Sequence, residues 1–258
     1  MQLPPITKSQ TKIIFYLYEF RYLLIAHLQS LFHHTDSKRI REWILDLQEK
    51  KYISIVKNPK DKTKPYILCL AQRAGHILKK DQDVDKNFLN WLYKERYKGE
   101  RFIKRNLFLV DAYLYFLKNK EKNTEINFFT QQDLYGYDYF PGPLPGAYID
   151  EEAGKEHTRY FLDYFDAGDT ARYMRFKLRT YFKYYEENNW QENTDNAPFP
   201  TLLFIFENET KKKHINHYAK SLLEKSLSTD IQIFLATKAA IKFAKEDADV
   251  WQPVEADE

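Results

Sequence analysis

The sequence predicts a chain of mixed α+β and α/β class, with an N-terminal winged helix-turn-helix domain followed by an α/β domain. Three observations lead to this expectation. Residues 11–70 place two helical apolar patterns before two short β-rich runs, which is the order of a winged helix-turn-helix. Beyond residue 123, short apolar runs alternate with helical patterns, which indicates a sheet covered by helices. With 258 residues and 43% hydrophobic content, the chain is long enough for two cores.

The helices of the N-terminal domain are predicted from apolar spacing. Apolar residues recur at helical intervals from Ile25 to Phe32, and the pattern stops at residues 33–36. Asp36 or Ser37 can cap the next helix by accepting a backbone N–H group. Apolar residues then recur at steps of three and four, so they should share one buried face of that helix. These residues are Ile40, Trp43, Ile44 and Leu47.

The same helix begins with three cations, Lys38, Arg39 and Arg41, which lie off its apolar face. A recognition helix presents its N-terminal end to the major groove, so these side chains are predicted to contact DNA there. The β-rich runs 52–56 and 66–70 should form a hairpin, the wing. Lysines between them suit phosphates, because an ammonium supplies charge without requiring a particular base. The predicted wing lysines are Lys57, Lys60, Lys62 and Lys64.

Charge is distributed unevenly along the chain. The formal net charge is +3, yet residues 1–80 carry fifteen Lys and Arg against six Asp and Glu, and the remainder carries twenty-five against thirty-one. A surface that releases counterions from DNA needs such clustering, so double-stranded DNA is the first expected partner. The alternative is a solvated, lysine-rich surface on a protein-interaction or dimerisation winged helix. A homodimer therefore stays open.

Composition favours a folded, cytoplasmic protein. Cys69 is the only cysteine, so an intrachain disulfide and a thiolate metal cluster are excluded, and a reducing compartment fits. The first residues lack the apolar run of a signal peptide, and charges interrupt the most apolar window, Ile13 to Phe32, so no membrane partner is expected. Most of the twenty Tyr and nineteen Phe rings should pack in cores or sheets, and a base-stacking platform is the less favoured interpretation.

Three segments are predicted: residues 1–80 as the winged helix-turn-helix, 81–122 as a helical connector with a helix over 105–118, and 123–258 as the α/β domain with a short acidic tail. A loop rich in Gly and Pro is expected over 135–146. Candidate strands of the last segment are Glu125–Gln131, Ala147–Asp150, Tyr160–Phe165, Thr201–Phe206 and Ile231–Ala236. Its candidate helices are Thr170–Glu187 and Ile215–Leu227.

Three short motifs carry a resemblance to a known family. They are Pro145-Gly146-Ala147-Tyr148-Ile149, the run Tyr160 to Gly168 with Asp163 and Asp166, and the helix carrying Lys177 and Tyr181. After a winged helix, this order resembles the replication-relaxation proteins of plasmids and other mobile elements. Their pattern is Pro-Asp-Ala, then an aliphatic pair with Glu-x-Asp, then Lys-Leu with a Tyr four residues after the Lys. The resemblance implies a restriction-endonuclease-like, PD-(D/E)xK fold and a role in plasmid or mobile-element replication, relaxation or mobilisation, with a replication initiator or relaxase as a partner.

Two departures from that pattern bear on catalysis. Gly146 stands where the family has an Asp, and Phe165 stands two residues after Asp163, where a nuclease would have its Lys. A nuclease would need carboxylates to hold Mg²⁺ and a metal-activated water. If the domain were active, the catalytic set would be Asp163, Asp150, Asp166 and Lys177, with Mg²⁺ as cofactor. With one ligand lost and the lysine displaced, a non-catalytic domain without a cofactor is favoured, and Lys177 is then expected to face solvent or a neighbouring helix.

Two other patterns are interpreted as structural. Tyr181, Tyr184 and Tyr185 lack the nearby histidines of a nicking relaxase, so packing is predicted for these rings. His214 and His217 have no third ligand beside them in the sequence, so a solvated helix start is predicted instead of a zinc site.

Three functions stay open at this stage. The favoured one is a non-catalytic DNA-binding protein of mobile-element replication, relaxation or mobilisation. The second is a metal-dependent DNA nuclease of PD-(D/E)xK type. The third is a winged-helix transcriptional regulator in which the C-terminal domain serves assembly.

Overall fold

The computed structural model describes residues 3–56, 65–82, 84–225, 230–245, 248 and 250–255. Its backbone forms two compact units, Met1–Leu114 and Tyr115–Glu258. The fold is mixed α and β, with a six-stranded mixed sheet and helices, which confirms the predicted class at this level. Within the described ranges, no helix combines the length and the apolar character needed to cross a membrane.

The first unit contains a three-stranded antiparallel sheet and helices. Its first six elements are α1 (Lys8–Phe20), β1 (Leu23–Leu24), α2 (Ile25–Leu31), α3 (Lys38–Glu49), β2 (Ile53–Val56) and β3 (Ile67–Leu70). The strand order is β1-β3-β2, with both pairs antiparallel. After a 3-10 turn at Gln72–Ala74 come α4 (Gly75–Leu78), α5 (Lys86–Leu89), a 3-10 helix at Leu92–Tyr97, and α6 (Glu100–Asn119), whose last five residues belong to the second unit. The predicted strands and the predicted helix over 105–118 are therefore confirmed, with small shifts at their ends.

Caps explain where the helices of this unit begin. Thr7 and Gln10 form a capping box at α1: the Thr7 hydroxyl accepts the Gln10 N–H at 3.2 Å, and the Gln10 side chain accepts the Thr7 N–H at 2.9 Å. At α3, Asp36 Oδ1 accepts the N–H of Lys38 at 2.9 Å, whereas Ser37 makes no side-chain capping bond. Of the two predicted caps, Asp36 is the one used. The buried residues of α3 are Ile40, Ile44 and Leu47, as the spacing predicts.

The second unit is built on a six-stranded sheet. Its elements are β4 (Glu125–Thr130), α7 (Gln131–Leu134), β5 (Ala147–Ala153), β6 (Glu156–Phe165), α8 (Ala171–Glu186), α9 (Asn189–Asn193), β7 (Thr201–Phe206), α10 (Glu209–Lys225), β8 (Ile233–Thr237), α11 (Lys238–Lys242) and β9 (Gln252–Pro253). The strand order follows the chain order from β4 to β9. Strands β6, β7 and β8 run parallel, and the other neighbours are antiparallel.

The five strands predicted for this unit are confirmed as β4 to β8, and α8 matches its prediction within one residue. Strand β6 and helix α10 begin four and six residues before their predicted starts at Tyr160 and Ile215. Residues 156–159 pair with β5 although they are polar, and the first turn of α10 is also polar, so neither start carries an apolar signal. The predicted end of α10 at Leu227 lies outside the described residues.

Aromatic and aliphatic side chains fill the core between the sheet and α8. Strand β7 is central, and five of its six residues are buried because β6 and β8 flank it. The ring of Phe161 on β6 stacks on Tyr181 of α8, with 5.6 Å between centroids, and meets Trp190 edge to face at 5.5 Å. Packing is thus confirmed for Tyr181, and Tyr184 is buried in the same core.

An ion pair between Arg21 and Glu95 ties two parts of the first unit together. Arg21, the residue after α1, donates from Nε and Nη2 to the two carboxylate oxygens of Glu95 at 3.0 and 2.6 Å. The Tyr22 hydroxyl donates to the Glu95 carbonyl oxygen at 2.8 Å. The Glu95 side chain is 2% exposed, and a carboxylate at that depth needs such a partner. The pair fixes the 3-10 helix at Leu92–Tyr97 to the end of α1.

We expect Arg21→Met to lower the free energy of unfolding by about 3–5 kcal/mol, because Glu95 would stay buried without its partner. Lys12→Met removes an exposed cation from α1 and should change it by less than about 0.5 kcal/mol. Urea denaturation followed by circular dichroism measures both values. Equal stability of the two variants would show that the Arg21–Glu95 pair does not support this unit.

Candidate functional site

The exposed N-terminal turns of α3 carry the predicted DNA-contacting residues. Lys38, Arg39 and Arg41 are all exposed, and within the described residues none of them forms an ion pair. The Arg39 guanidinium lies over the Trp43 ring, 5.4 Å from its centroid, and Arg41 Nε donates to the Ser37 hydroxyl at 3.3 Å. These contacts orient two of the cations without neutralising them. The three charges stay available to an external anion.

The other end of α3 is held by neutralising contacts. Lys50 Nζ donates to Asp46 Oδ2 at 2.7 Å, and the Gln10 amide donates to the same oxygen at 2.5 Å. The Lys50 hydrogen bond, followed by that of Gln10, lowers the pKa of the Asp46 carboxyl. Because Asp46 is satisfied inside the unit, its negative charge does not oppose the cations two turns away.

The four predicted wing lysines, Lys57, Lys60, Lys62 and Lys64, lie outside the described residues. The strands on either side of them are described. Val56 at the end of β2 is the register partner of Ile67 in β3, so the segment between them joins an antiparallel pair. The role of these lysines stays a prediction.

In the second unit, Asp163 near the end of β6 is the centre of a buried polar cluster. Its side chain is 10% exposed. Asp163 Oδ1 accepts the backbone N–H of Gly146 at 2.9 Å, and Oδ2 accepts the Tyr181 hydroxyl at 2.6 Å. Lys177 Nζ lies 3.5 Å from Oδ2. The two oxygens therefore have three protein partners, one from the loop before β5 and two from α8.

Lys177 is almost completely buried beside Asp163. Its side chain is 2% exposed, so the expectation that it faces solvent or a neighbouring helix is wrong. Nζ donates to the carbonyl oxygens of Pro143 at 2.7 Å and Leu144 at 2.5 Å. With Asp163 these make three acceptors, which match the three N–H donors of an ammonium. Lys177 thus fastens the loop before β5 to α8 and β6.

Burial dominates the protonation behaviour of this cluster. Desolvation raises the pKa of the Asp163 carboxyl, and Lys177, Tyr181 and Gly146 oppose that shift by stabilising the carboxylate. Desolvation likewise lowers the pKa of Lys177, against the attraction of Asp163. The pKa of the Tyr181 phenol is raised by burial and then by the adjacent Asp163, so the phenol acts as a hydrogen-bond donor. None of the three groups is open to a substrate.

Gly146 occupies a position with little room for a side chain. A Cβ atom there would lie 3.0 Å from the carbonyl oxygen of Leu162 and 3.6 Å from Asp163 Oδ1. An aspartate at this position would have to displace backbone, and its carboxylate would begin beside that of Asp163. Gly146 therefore packs closely against the end of β6, and its backbone N–H donates to Asp163.

Asp150 and Asp166 have partners elsewhere. Asp150 on β5 is the register partner of Arg159, whose Nε lies 3.8 Å from Asp150 Oδ1, and Nδ1 of His157 lies 3.0 Å from the same oxygen. Arg159 precedes Asp163 by four residues, so this group is about 13 Å along the strand from Asp163. Asp166 follows the end of β6, and its Oδ1 accepts the N–H of Gly168 at 2.7 Å.

The candidate catalytic residues therefore divide into separate groups. The structure brings Lys177 to Asp163, and it gives Asp150 and Asp166 local hydrogen-bond partners of their own. In the part of the chain that is described, no group of three or more His, Cys, Asp and Glu side chains is placed to hold a metal ion. His214 and His217 are both exposed, as predicted, but they lie in the second and third turns of α10 and not at its start.

Sequence reasoning missed two polar features. Lys238 Nζ donates to Glu207 Oε2 at 3.2 Å and to the Tyr164 hydroxyl at 3.0 Å, so three consecutive parallel strands are linked where they end. A polar cavity of about 440 Å³ lies where β6, β7 and β8 begin. Its polar lining includes His157, Arg159, Tyr185, Asp230 and Gln232. Isolated polar residues at strand ends give no periodic signal, so only their juxtaposition reveals these features.

Comparisons of this chain with protein-family models, with curated proteins and with solved structures found no match. The geometry of the described residues is therefore what bears on function.

We expect Lys177→Met to lower the free energy of unfolding by about 3–5 kcal/mol, because the Asp163 carboxylate would lose its counter-charge in the core. Adding Asp163→Asn should recover part of that loss, since it removes the unpaired charge. Lys183→Met is the matched control, because Lys183 is 75% exposed on the same helix, and its cost should stay below about 0.5 kcal/mol. Urea denaturation of the four proteins measures these differences; a Lys177→Met variant as stable as the control would contradict the buried role.

Proposed function

We propose that the protein binds double-stranded DNA through its N-terminal unit and that this unit is a winged helix-turn-helix. In this proposal α3 is the recognition helix, and Lys38, Arg39 and Arg41 contact the major groove. The observation that carries the proposal is the exposed, unneutralised cluster of cations on the first turns of α3. The wing lysines Lys57, Lys60, Lys62 and Lys64 would add phosphate contacts.

The order of elements supports this proposal. In a winged helix, a helix-turn-helix is followed by a β-hairpin, and the second helix of the pair enters the major groove. Here α2 and α3 are followed by the antiparallel pair β2 and β3, and the short strand β1 completes the sheet on the far side of β3. Because β2 directly follows α3 in the sequence, the wing would lie next to the recognition helix.

Residue chemistry supports DNA over a protein partner for the same surface. Arg side chains make bidentate contacts to guanine, and Lys and Arg neutralise phosphates with release of counterions. The exposed face of α3 also carries Leu45, which is 62% exposed and could meet a thymine methyl group. A protein interface would instead be expected to deplete charge at its centre.

For the second unit we propose a restriction-endonuclease-like fold that has lost catalysis. Strands β4 to β6 form an antiparallel meander, α8 crosses over, and β7 pairs parallel to β6. Gly146 replaces the Asp of the family pattern, and Asp163 and Lys177 are the other positions compared with it. Their side chains and backbone are used in a closed buried cluster, and this supports a scaffolding role.

The biological role that we propose follows the resemblance to replication-relaxation proteins: plasmid or mobile-element replication, relaxation or mobilisation. A replication initiator, a relaxase or a second copy of the chain would be the protein partner. A winged-helix transcriptional regulator would use the same α3 surface. Genes beside this one would distinguish them, because a neighbouring initiator or relaxase gene favours the first role.

The full chain should bind a duplex of random sequence with an affinity that falls steeply as salt rises. Replacing Lys38 and Arg41 together with Ala should weaken binding by at least about tenfold. It should also reduce the salt slope by up to about 2, since a cation in the groove of a random duplex also neutralises a neighbouring phosphate and each such contact contributes about one unit. The matched control is Lys79→Ala with Lys80→Ala, an equal loss of exposed charge in the same unit. Fluorescence anisotropy measures both effects. Equal weakening by both double variants would remove α3 from the interface.

The wing is tested in the same assay. Replacing Lys60, Lys62 and Lys64 with Ala should also flatten the salt slope. With fewer lysine–phosphate contacts, binding releases fewer counterions from the duplex. An unchanged slope would exclude these lysines from the interface while leaving the α3 result intact.

The proposed loss of catalysis predicts that supercoiled plasmid stays intact when incubated with the protein and Mg²⁺ or Mn²⁺. The reason is that Asp163 and Lys177 are sealed against each other, and Asp150 lies about 13 Å away along the strand. Agarose electrophoresis detects nicking. Metal-dependent nicking that disappears in Asp163→Ala would overturn the proposal in favour of the nuclease.

A further inference from the structure

An exposed row of aromatic side chains lies on the 3-10 helix that follows α5. Trp91, Tyr93 and Tyr97 are 51%, 50% and 69% exposed, and we call these three rings the aromatic ridge. Large rings in a soluble protein are mostly buried, so three of them within seven residues at this exposure are unusual. The general expectation that aromatic rings pack in cores does not hold for this segment.

One side of the 3-10 helix that carries the ridge is buried in the first unit. In a 3-10 helix side chains repeat every three residues, so Leu92 and Glu95 share one side, and Trp91, Lys94 and Tyr97 share another. Tyr93 lies on the third side, and its ring centroid is 6.5 Å from that of Trp91. Leu92 and Glu95 are buried, and the Arg21–Glu95 ion pair holds that side. The same anchor therefore points the ridge outward. An unsupported loop would let these rings collapse onto the protein surface.

Cations are interleaved with the rings. Lys94 Nζ lies 3.7 Å from the centroid of the Trp91 ring and 5.7 Å from that of Tyr93, and the Arg96 guanidinium lies 4.6 Å from that of Tyr97. Residues 91–105 contain six cations against two acids. Both acids are already paired, Glu95 with Arg21 and Glu100 with Lys104. The segment that carries the ridge therefore has a net charge of +4, from six cations and two acids.

We propose that the aromatic ridge, with Lys94 and Arg96, binds single-stranded nucleic acid. Exposed π faces beside cations suit an unpaired strand, whose bases stack on the rings while its phosphates meet the cations. Duplex DNA does not offer base faces, because they are stacked on one another inside the helix. A base that stacks on Trp91 would displace the Lys94 ammonium, which is then free to contact a phosphate.

The ridge is a different surface from the cationic turns of α3, so this site does not depend on the proposed duplex binding. An anionic membrane is the other polyanion that such a surface could meet. Interfacial segments that insert into lipid also carry a broad aliphatic face. The ridge has no exposed aliphatic side chain, because Leu92 is buried, and this favours the nucleic acid.

The test uses the full chain and a labelled oligo-dT of about 16 nucleotides, the upper end of the site size of one single-strand-binding fold. The double variant Trp91→Ala, Tyr97→Ala should weaken its binding by at least about tenfold and change duplex affinity by less than about twofold. The control is Tyr135→Ala, which removes an 86% exposed ring from the other unit and should leave both affinities unchanged. Circular dichroism and thermal melting confirm that each variant is folded.

A conservative variant supplies an independent readout. Oligo-dT should quench part of the tryptophan fluorescence of the wild-type chain, because Trp91 is 51% exposed, whereas Trp190 is buried and Trp43 and Trp251 are half-buried. Trp91→Phe keeps a stacking ring, so its affinity should stay within about threefold while most of the quenching disappears.

Three results would overturn the proposal. They are an oligo-dT affinity unchanged in the double variant, an equal loss of duplex and single-strand affinity in that variant, and binding to phosphatidylserine vesicles that depends on Trp91 while oligo-dT binding does not. If the ridge proposal is overturned, the α3 proposal is still tested by the duplex-binding assay of its own double variant. The two proposals can therefore fail separately.

Discussion

The second unit depends on the buried ammonium of Lys177. An ammonium placed in an aromatic core is tolerated only when each of its donors has an acceptor, and here the Pro143 and Leu144 carbonyl oxygens and the Asp163 carboxylate supply three. These acceptors come from the loop before β5 and from β6, whereas the lysine comes from α8. One charged group thereby fixes the relative positions of three elements. Loss of any one partner should therefore destabilise this unit strongly, because a buried charge would be left without compensation.

The first unit uses its charges in the opposite way. Three of its acids have partners within the unit: Glu95 pairs with Arg21, Asp46 with Lys50 and Gln10, and Glu100 with Lys104. Cations on α3 and on the 3-10 helix are left at the surface. Exposed ion pairs contribute little to stability, so leaving cations unpaired costs the fold little. The result is a unit whose outer field is positive although it contains many acids.

Much of this fold can be predicted from the sequence, because apolar periodicity survives in most of its elements. The helix at Lys38–Glu49, its Asp36 cap and the central strand Thr201–Phe206 all carry local signals. Residues 156–159 of β6 carry no such signal, because their side chains are polar and only pairing with β5 defines the strand there. Local pattern therefore predicts elements well and their polar ends poorly.

The candidate sites were predictable only in part. The cations of α3 lie outward as their helical positions imply. The partners of Lys177 could not be foreseen, because two of them are backbone carbonyls of a loop without periodicity. The aromatic ridge was also missed, since the spacings of two and four residues between Trp91, Tyr93 and Tyr97 do not place the three rings on one face of an α-helix.

The Lys177 cluster has one more consequence, for the conditions under which the two units work. The counter-ion of Asp163 is covalently part of the chain, so chelators cannot extract it and dissolved ions cannot compete for it at its depth. Polyanion contacts at the molecular surface are screened readily by the same ions. Raising the ionic strength should therefore weaken polyanion binding while the fold of the second unit stays intact.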